Sequence, residues 1–192
     1  MTALGTNSDQ ATYSPTSPSG IVAGSQADLS WMEGVYKFFH QHPELSGAEE
    51  VTAQTIAKEL ENYPNWKITT DIGGHGITAV LENGEGPTVL MRADFDGLPV
   101  AEKTGVDYAS TYSQLNASGE RVATMHACGH DHHTTSLLGA MRILDAERAH
   151  WSGTVVALFQ PAEEASIGAH KMVSDGLGPV SYTHLRAHET DS

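Results

Sequence analysis

A cysteine and four histidines crowd into one short segment, Met125-His126-Ala127-Cys128-Gly129-His130-Asp131-His132-His133. Thiolate and imidazole ligands favour Zn²⁺, Co²⁺, Ni²⁺ or Cu²⁺ over Mg²⁺ and Ca²⁺. Cys128 and His130 lie two positions apart, so both side chains can point into one cavity from an irregular loop. Asp131 can orient an imidazole by accepting a hydrogen bond from its second ring nitrogen. A lone cysteine or histidine is usually structural, but this cluster predicts a metal site.

Two adjacent carboxylates, Glu163 and Glu164, provide a second group of candidate ligands. They follow an apolar run through Gln160-Pro161-Ala162, and Pro161 should end a strand there because it cannot donate to a β-ladder. Adjacent glutamates are most often a solvated face. At the carboxyl end of a buried strand, however, they can meet the cysteine and histidines in the crevice where α/β proteins collect ligands.

Another acidic pair, Asp94 and Asp96, ends a strand predicted to start at Thr88. Residues two apart on a strand share a face, so both carboxylates should point toward the same crevice. They are candidates for acids close to a metal, or for partners that orient its ligands. The alternative is that Arg92 pairs with one of them without a functional role.

Periodic apolar residues predict an α/β fold in which a central, mostly parallel sheet is flanked by helices. Apolar residues recur at helical spacing from Met32 to Phe39, from Ala53 to Leu60, and at about 134–148. The second helix should begin near Ser46, with Glu49 completing a capping box. Strands are predicted at Trp66 to Ile72, Ile77 to Leu81, Thr88 to Met91 and Gly153 to Gln160, with Gly73-Gly74-His75-Gly76 as a turn between the first two.

Charge and composition exclude several classes of partner. The formal net charge is −14, from 10 Lys and Arg residues against 24 Asp and Glu residues, whereas nucleic acids and anionic membranes are bound through basic patches. Cys128 is the sole cysteine, so no internal disulfide forms. No apolar run reaches the ~18 residues of a membrane span, and the first cation, Lys37, comes too late for the basic region of a signal peptide. We therefore expect a cytoplasmic protein.

Four segments, in order, closely resemble the M20 peptidase family, in the branch of hippurate hydrolase, N-acyl-amino-acid hydrolases and indole-acetyl-amino-acid hydrolases. These segments are His40 to Ser46, Arg92 to Pro99, Met125 to Asp131 and Gln160 to Glu164. The resemblance covers the chain from Trp31 to Leu177. It implies a catalytic domain like that of the zinc exopeptidases, and hydrolysis of the amide bond of small N-acyl amino acids.

The resemblance also implies roles for individual residues. Cys128, His130 and Glu164 match metal ligands, Glu163 matches the general base, and His133 matches a position near the metals or the substrate. The implied cofactors are two divalent ions, Zn²⁺, Mn²⁺ or Co²⁺, which would activate a water molecule that Glu163 deprotonates. The acyl group, the amino acid, the metal and the oligomeric state of the full-length form stay open.

The chain is predicted to have three parts. Residues 1–27 are rich in Ser, Thr, Gly and Pro and are expected to form a flexible arm. Residues 28–177 correspond to the N-terminal part of the catalytic domain, because family members continue into a satellite domain and a later metal-binding histidine. Residues 178–192 resemble nothing in the family and are expected to be a disordered or artefactual tail.

Two other hypotheses stay open at this point. The chain could be a catalytically inactive, metal-binding fragment of such a hydrolase, since three ligands shared between two metals leave the coordination thin. It could instead be a thiol enzyme in which a histidine activates Cys128, although the paired acids would then have no role.

Overall fold

Four strands build the central sheet of residues 29–177, the part of the chain that the computed structural model describes. β1 (Lys67–Ile72), β2 (Gly76–Asn83), β3 (Thr88–Asp94) and β6 (Gly153–Gln160) lie in the order β1-β2-β6-β3. β6 is parallel to β3 and antiparallel to β2, and β2 is antiparallel to β1. The sheet is therefore mixed rather than mostly parallel, because a short turn joins β1 to β2 where a parallel pair would need a long crossover.

The predicted strands are all present, with ends that differ by a few residues. A small hairpin of β4 (Ser113–Leu115) and β5 (Arg121–Ala123) was not predicted, because strands this short show no clear alternation of apolar and polar residues. The glycine cluster forms the turn between β1 and β2, as predicted. Gly73 has φ of 66°, and a Cβ atom there would lie 2.4 Å from the backbone nitrogen of Met172, so this close approach requires glycine.

Helices cover both faces of the sheet, which confirms the α/β architecture. The helices are α1 (Leu29–Gln41), α2 (Glu50–Leu60), α3 (His130–Ala146) and α4 (Gly168–Met172), with short turns at Arg148–His150 and Val173–Leu177. Residues of α1, α2 and α3 join the larger core on one face, and Met172 of α4 joins a smaller core on the other. None of these described helices combines the length and the apolar character needed to cross a bilayer.

The start of α2 differs from the predicted capping box. The Ser46 hydroxyl donates to Oδ2 of Asp96 at 2.6 Å, and Glu49, which immediately precedes the helix, makes no side-chain cap. Glu44 caps the helix instead, since its carboxylate accepts a hydrogen bond from the backbone N–H of Thr52 at 2.6 Å. The predicted capping box is therefore wrong.

The start of α3 also differs from the prediction. The helix begins at His130 rather than near residue 134, so the histidine lies on a helix and not in an irregular loop. Gly129, immediately before it, has φ of 80°, a conformation that glycine adopts at little cost. Asp131 then stabilises the first turn, because its Oδ1 atom accepts the backbone N–H of His132 at 2.8 Å.

The predicted arm at residues 1–27 and the predicted tail at residues 178–192 lie outside the described residues.

β6 lies between the two cores and shows how the sheet is stabilised. Ala157 and Phe159 face the larger core, whereas Leu158 packs with Ile72 and Met172 on the opposite face. This alternation is the period of two expected for a strand. Burying a large apolar side chain contributes about 1.5–3 kcal/mol to the stability of the fold. The buried side chains of β6 therefore fix the position of its carboxyl end, which the glutamate pair follows.

We predict that Phe159→Ala lowers the free energy of unfolding by about 3–5 kcal/mol, because this fully buried ring leaves a cavity. Leu90→Ala is the matched control, since Leu90 is 51% exposed on the edge strand β3, and it should cost no more than about 0.5 kcal/mol. Urea unfolding of the full chain, followed by circular dichroism, measures both values. Equal losses in the two variants would contradict this description of the core.

Candidate metal centre

The carboxyl ends of β3 and β6 lie side by side and determine where the site is. In this parallel pair Asp94 is opposite Gln160, and the Phe95 N–H donates to the Gln160 carbonyl at 3.2 Å. The two acidic pairs therefore leave the sheet at the same edge, as the sequence predicted. The start of α3 reaches this edge as well, where the Thr134 hydroxyl donates to the Asp94 carbonyl at 3.1 Å.

His130, the first residue of α3, stands at the centre of this edge. Its Nδ1 atom donates to the Asp96 carbonyl at 2.8 Å and lies 3.2 Å from Oδ1 of the same residue. Three carboxylate oxygens lie near Nε2: Asp94 Oδ1 at 3.6 Å, Glu163 Oε2 at 3.8 Å and Glu164 Oε1 at 3.8 Å. Because Nδ1 donates to Asp96, it is Nε2 that can lose its proton and offer a lone pair to a cation, which is how orienting partners prepare a histidine ligand.

Two overlapping sets of candidate ligand atoms result. His130, Glu163 and Glu164 offer one atom each within 4.8 Å of one another, and so do Asp94, His130 and His133. The structure thus brings together His130 and Glu164, two of the predicted ligands, with the predicted base Glu163 beside them. Asp94 and His133, predicted as neighbours of the metals or the substrate, contribute to the second set.

The residues present fit a divalent cation. Oε1 of Glu164 is buried and has no hydrogen-bond partner among residues 29–177, and a buried carboxylate oxygen without a partner is costly unless a cation or water satisfies it. This oxygen lies 3.8 Å from Nε2 of His130. Imidazole nitrogen and carboxylate oxygen together suit Zn²⁺, Mn²⁺ and Co²⁺.

Cys128, the third predicted ligand, lies beside this donor set but outside it. Its thiol is exposed, and no candidate set among the described residues includes it. A hydrogen bond with the Glu164 carboxylate, together with slight desolvation and nearby negative charge, raises the pKa of the thiol. A neutral thiol is a poor nucleophile, which disfavours the thiol-enzyme hypothesis. It can become a ligand if a cation displaces its proton.

Asp131 orients a histidine, although not one of the predicted ligands. Its Oδ2 atom bonds to Nδ1 of His40 at 2.7 Å, and Nε2 of His40 bonds to Oε1 of Glu102 at 3.1 Å. Burial lowers the pKa of His40, but these two carboxylates outweigh burial and raise it. This ion pair ties α1 to the first turn of α3, and Asp131 is the residue next to His130.

The sequence left two alternatives for Asp94, a place close to the metal or an ion pair with Arg92. The structure shows contacts of both kinds. Oδ1 accepts a hydrogen bond from Nδ1 of His133 at 2.6 Å, and Oδ2 lies 3.0 Å from Nη2 of Arg92. Burial raises the pKa of Asp94, but the histidine and arginine neighbours outweigh burial and lower it. Arg92 in turn donates from Nε to Oε1 of Gln160 at 2.7 Å, which links the ends of β3 and β6.

The carboxylates hold a proton on His130 in the metal-free protein. Burial lowers its pKa, but the hydrogen bond to Asp96 and the charges of Asp94 and Asp96 raise it to about 9. The ring is therefore an imidazolium at neutral pH. A cation can bind Nε2 only after this proton leaves.

Several residues support the site although the sequence did not predict that they would. Glu49 is fully buried and its Oε1 atom accepts the backbone N–H of Ala162 at 2.7 Å. His40 forms an ion pair with Asp131 and a second one with Glu102. All of these partners lie far apart along the chain, so no local spacing identifies them. His126 belongs to the predicted cluster but to neither donor set, and burial lowers its pKa to about 4.

Comparisons with known proteins lead to one family. The family described as peptidase family M20/M25/M40 matches residues 90–189. N-acetyl-L-cysteine deacetylase of Bacillus subtilis is 40% identical over 143 residues, which are 74% of this chain and 32% of that protein. Hippurate hydrolase of Campylobacter jejuni is 38% identical over 139 residues, which are 72% of this chain and 33% of that protein.

A solved structure shows the same relationship. The Bacillus subtilis YXEP protein, described as a dinuclear metal binding peptidase from the M20 family, is 36% identical with a TM-score of 0.69, covering 79% of this chain and 40% of that chain. The present chain therefore spans well under half the length of these relatives.

The proton on His130 makes cation binding dependent on pH. We predict that Zn²⁺ binding releases protons, and that competition at Nε2 of His130 makes the apparent affinity rise by up to about tenfold per pH unit below pH 9, to which loss of the Cys128 proton would add. Calorimetric titrations in buffers of different ionisation enthalpy measure the proton release directly.

Two variants serve as controls for this experiment. His130→Ala should lose both the binding and the proton release, whereas His150→Ala should retain both, because His150 pairs with Glu147 away from the site. An affinity that stays constant between about pH 6 and 8 would contradict competition at His130.

Proposed function

The chain belongs to peptidase family M20/M25/M40, and on this premise we propose that it acts as a metal-dependent amidohydrolase on small N-acyl amino acids. The observation that carries the proposal is the cluster of His130, Glu163 and Glu164 at the carboxyl ends of two parallel strands. The relatives named as an N-acetyl-L-cysteine deacetylase and a hippurate hydrolase support the substrate class.

His130 and Glu164 would hold a divalent ion, with Cys128 as a further ligand once its thiol is deprotonated. When bound, such an ion polarises the scissile carbonyl group and lowers the pKa of water. The described ligands account for one ion. A second ion is part of the proposal because the YXEP protein is described as dinuclear. The mixed nitrogen, oxygen and sulfur donors favour Zn²⁺ or Co²⁺, with Mn²⁺ less favoured by the thiolate.

Glu163 is the proposed general base. Its side chain is 42% exposed, against 19% for Glu164, and its Oε2 atom lies 3.8 Å from Nε2 of His130. Glu163 therefore lies at the open side of the cluster, where a substrate can approach. Its carboxylate would take a proton from the attacking water and deliver it to the nitrogen of the leaving amine. Glu164, which is less exposed, keeps its carboxylate for the cation.

We propose the cytoplasm as the location of the reaction. The free thiol of Cys128 is exposed beside the site, and a ligand of this kind is best preserved where the surroundings keep thiols reduced.

The two adjacent glutamates allow a matched test of their roles. Glu163→Gln should bind Zn²⁺ as the unsubstituted chain does but hydrolyse N-acetyl-L-cysteine and hippurate about 10²–10⁴-fold more slowly, because it cannot accept a proton. Glu164→Gln should lose affinity for Zn²⁺ by at least about 10–100-fold, which is what loss of a residue that only orients a ligand costs. Equilibrium dialysis and an amine-release assay on the full chain separate the two effects.

Undiminished hydrolysis by Glu163→Gln would show that another group is the base. Zn²⁺ binding by the unsubstituted chain without hydrolysis would favour the alternative, a metal-binding fragment that lacks catalytic activity.

A further inference from the structure

The turn that carries Glu163 and Glu164 contains a strained residue. Ala162, immediately before them, has φ of 49°, in the left-handed region that residues with a Cβ atom seldom occupy. The turn is also tightly closed. The Gly168 N–H donates to the Ala162 carbonyl at 3.1 Å, and a Cβ atom on Gly168 would lie 1.6 Å from the Pro161 carbonyl oxygen. Such a conformation persists only when its surroundings hold it in place.

Glu49 provides part of this hold from a distant segment of the chain. Its Oε1 atom accepts the backbone N–H of Ala162 at 2.7 Å. Glu49 is 0% exposed, and its other carboxylate oxygen has no hydrogen-bond partner among the described residues. A buried polar oxygen without a partner destabilises the fold, so a carboxyl group here needs a reason. The backbone N–H groups near its carboxylate include those of Ala162 and, within its own segment, Gly47.

Stabilisation of the neighbouring helix does not supply that reason. Glu49 makes no side-chain cap on α2. Glu44 does, since its carboxylate accepts hydrogen bonds from the N–H groups of Val51 at 3.2 Å and Thr52 at 2.6 Å, and from the Thr52 hydroxyl at 2.8 Å. The two buried glutamates of this segment thus have different partners: Glu44 bonds to the start of α2, and Glu49 bonds to the turn after β6.

We propose that Glu49 is a positioning residue for the Glu163 and Glu164 pair. By holding Ala162 in the left-handed conformation, Glu49 directs both following carboxylates toward His130. Asp96 holds the same turn from its other end, because its Oδ2 atom accepts the Glu164 N–H at 3.0 Å. Without the acceptor on Glu49, Ala162 can relax to a common backbone conformation and displace both carboxylates. This inference rests on the proposed function, in which these carboxylates bind the cation and move the proton.

Three variants of the full chain test the proposal. Glu49→Met removes the acceptor and keeps an unbranched side chain, Glu49→Gln keeps an acceptor oxygen for the Ala162 N–H, and Glu44→Met removes the cap of α2 as the matched control. Affinity for Zn²⁺ is measured by competition with a chromophoric chelator. Circular dichroism establishes the folded fraction, and hydrogen exchange reports on the amide of Ala162.

We expect Glu49→Met to weaken Zn²⁺ binding by about 10–100-fold and to speed exchange at Ala162 while the chain stays folded. Glu49→Gln should restore both properties, and Glu44→Met should lower stability while the folded protein keeps its affinity. Unchanged exchange at Ala162 in Glu49→Met would overturn the proposal, as would faster exchange with unchanged affinity. Absence of Zn²⁺ binding by the unsubstituted chain would instead refute the proposed function, and the exchange at Ala162 would still decide whether Glu49 holds the turn.

Discussion

One buried carboxylate, that of Asp96, connects the segments that form the candidate metal centre. It is 1% exposed, and it accepts hydrogen bonds from the Ser46 hydroxyl at 2.6 Å and the Glu164 N–H at 3.0 Å, with Nδ1 of His130 at 3.2 Å. These partners come from the segment before α2, the turn after β6 and the start of α3. Because a buried charge is tolerated only when it is paired and hydrogen-bonded, the three segments must converge on Asp96. The convergence places His130 and Glu164 beside each other.

The same convergence concentrates negative charge around one histidine. The carboxylates of Asp94, Glu163 and Glu164 all lie within 3.8 Å of Nε2 of His130. In the metal-free protein this ring carries a proton, because the hydrogen bond to Asp96 and the charges of Asp94 and Asp96 outweigh burial and raise its pKa to about 9. A divalent cation would bring more positive charge to the same position and satisfy the Glu164 oxygen that has no hydrogen-bond partner among residues 29–177. The fold therefore places several carboxylates around one position, and the single positive charge of a protonated His130 neutralises them only in part.

The sequence located this site because its signals are local. Cysteine, histidine and carboxylate residues follow predicted strands or precede a predicted helix, and strand ends define the edge where ligands collect. The direction of the strands could not be predicted in the same way. β2 is buried over most of its length, like a parallel strand, yet both of its pairings are antiparallel. The partners of Ser46, Glu49 and Asp131 also escaped prediction, because each lies far along the chain and local spacing favoured other roles.

The central claim is that His130, held by Asp96, forms a cation site with Glu164 and Cys128, and titration of the full chain with Co²⁺ tests it most directly. The absorption spectrum should gain visible bands of protein-bound Co²⁺ and a near-ultraviolet thiolate-to-metal band. Cys128→Ser should lose the near-ultraviolet band alone, and His130→Ala should lose all of them. A spectrum equal to that of Co²⁺ in water, or bands that survive in His130→Ala, would contradict the account.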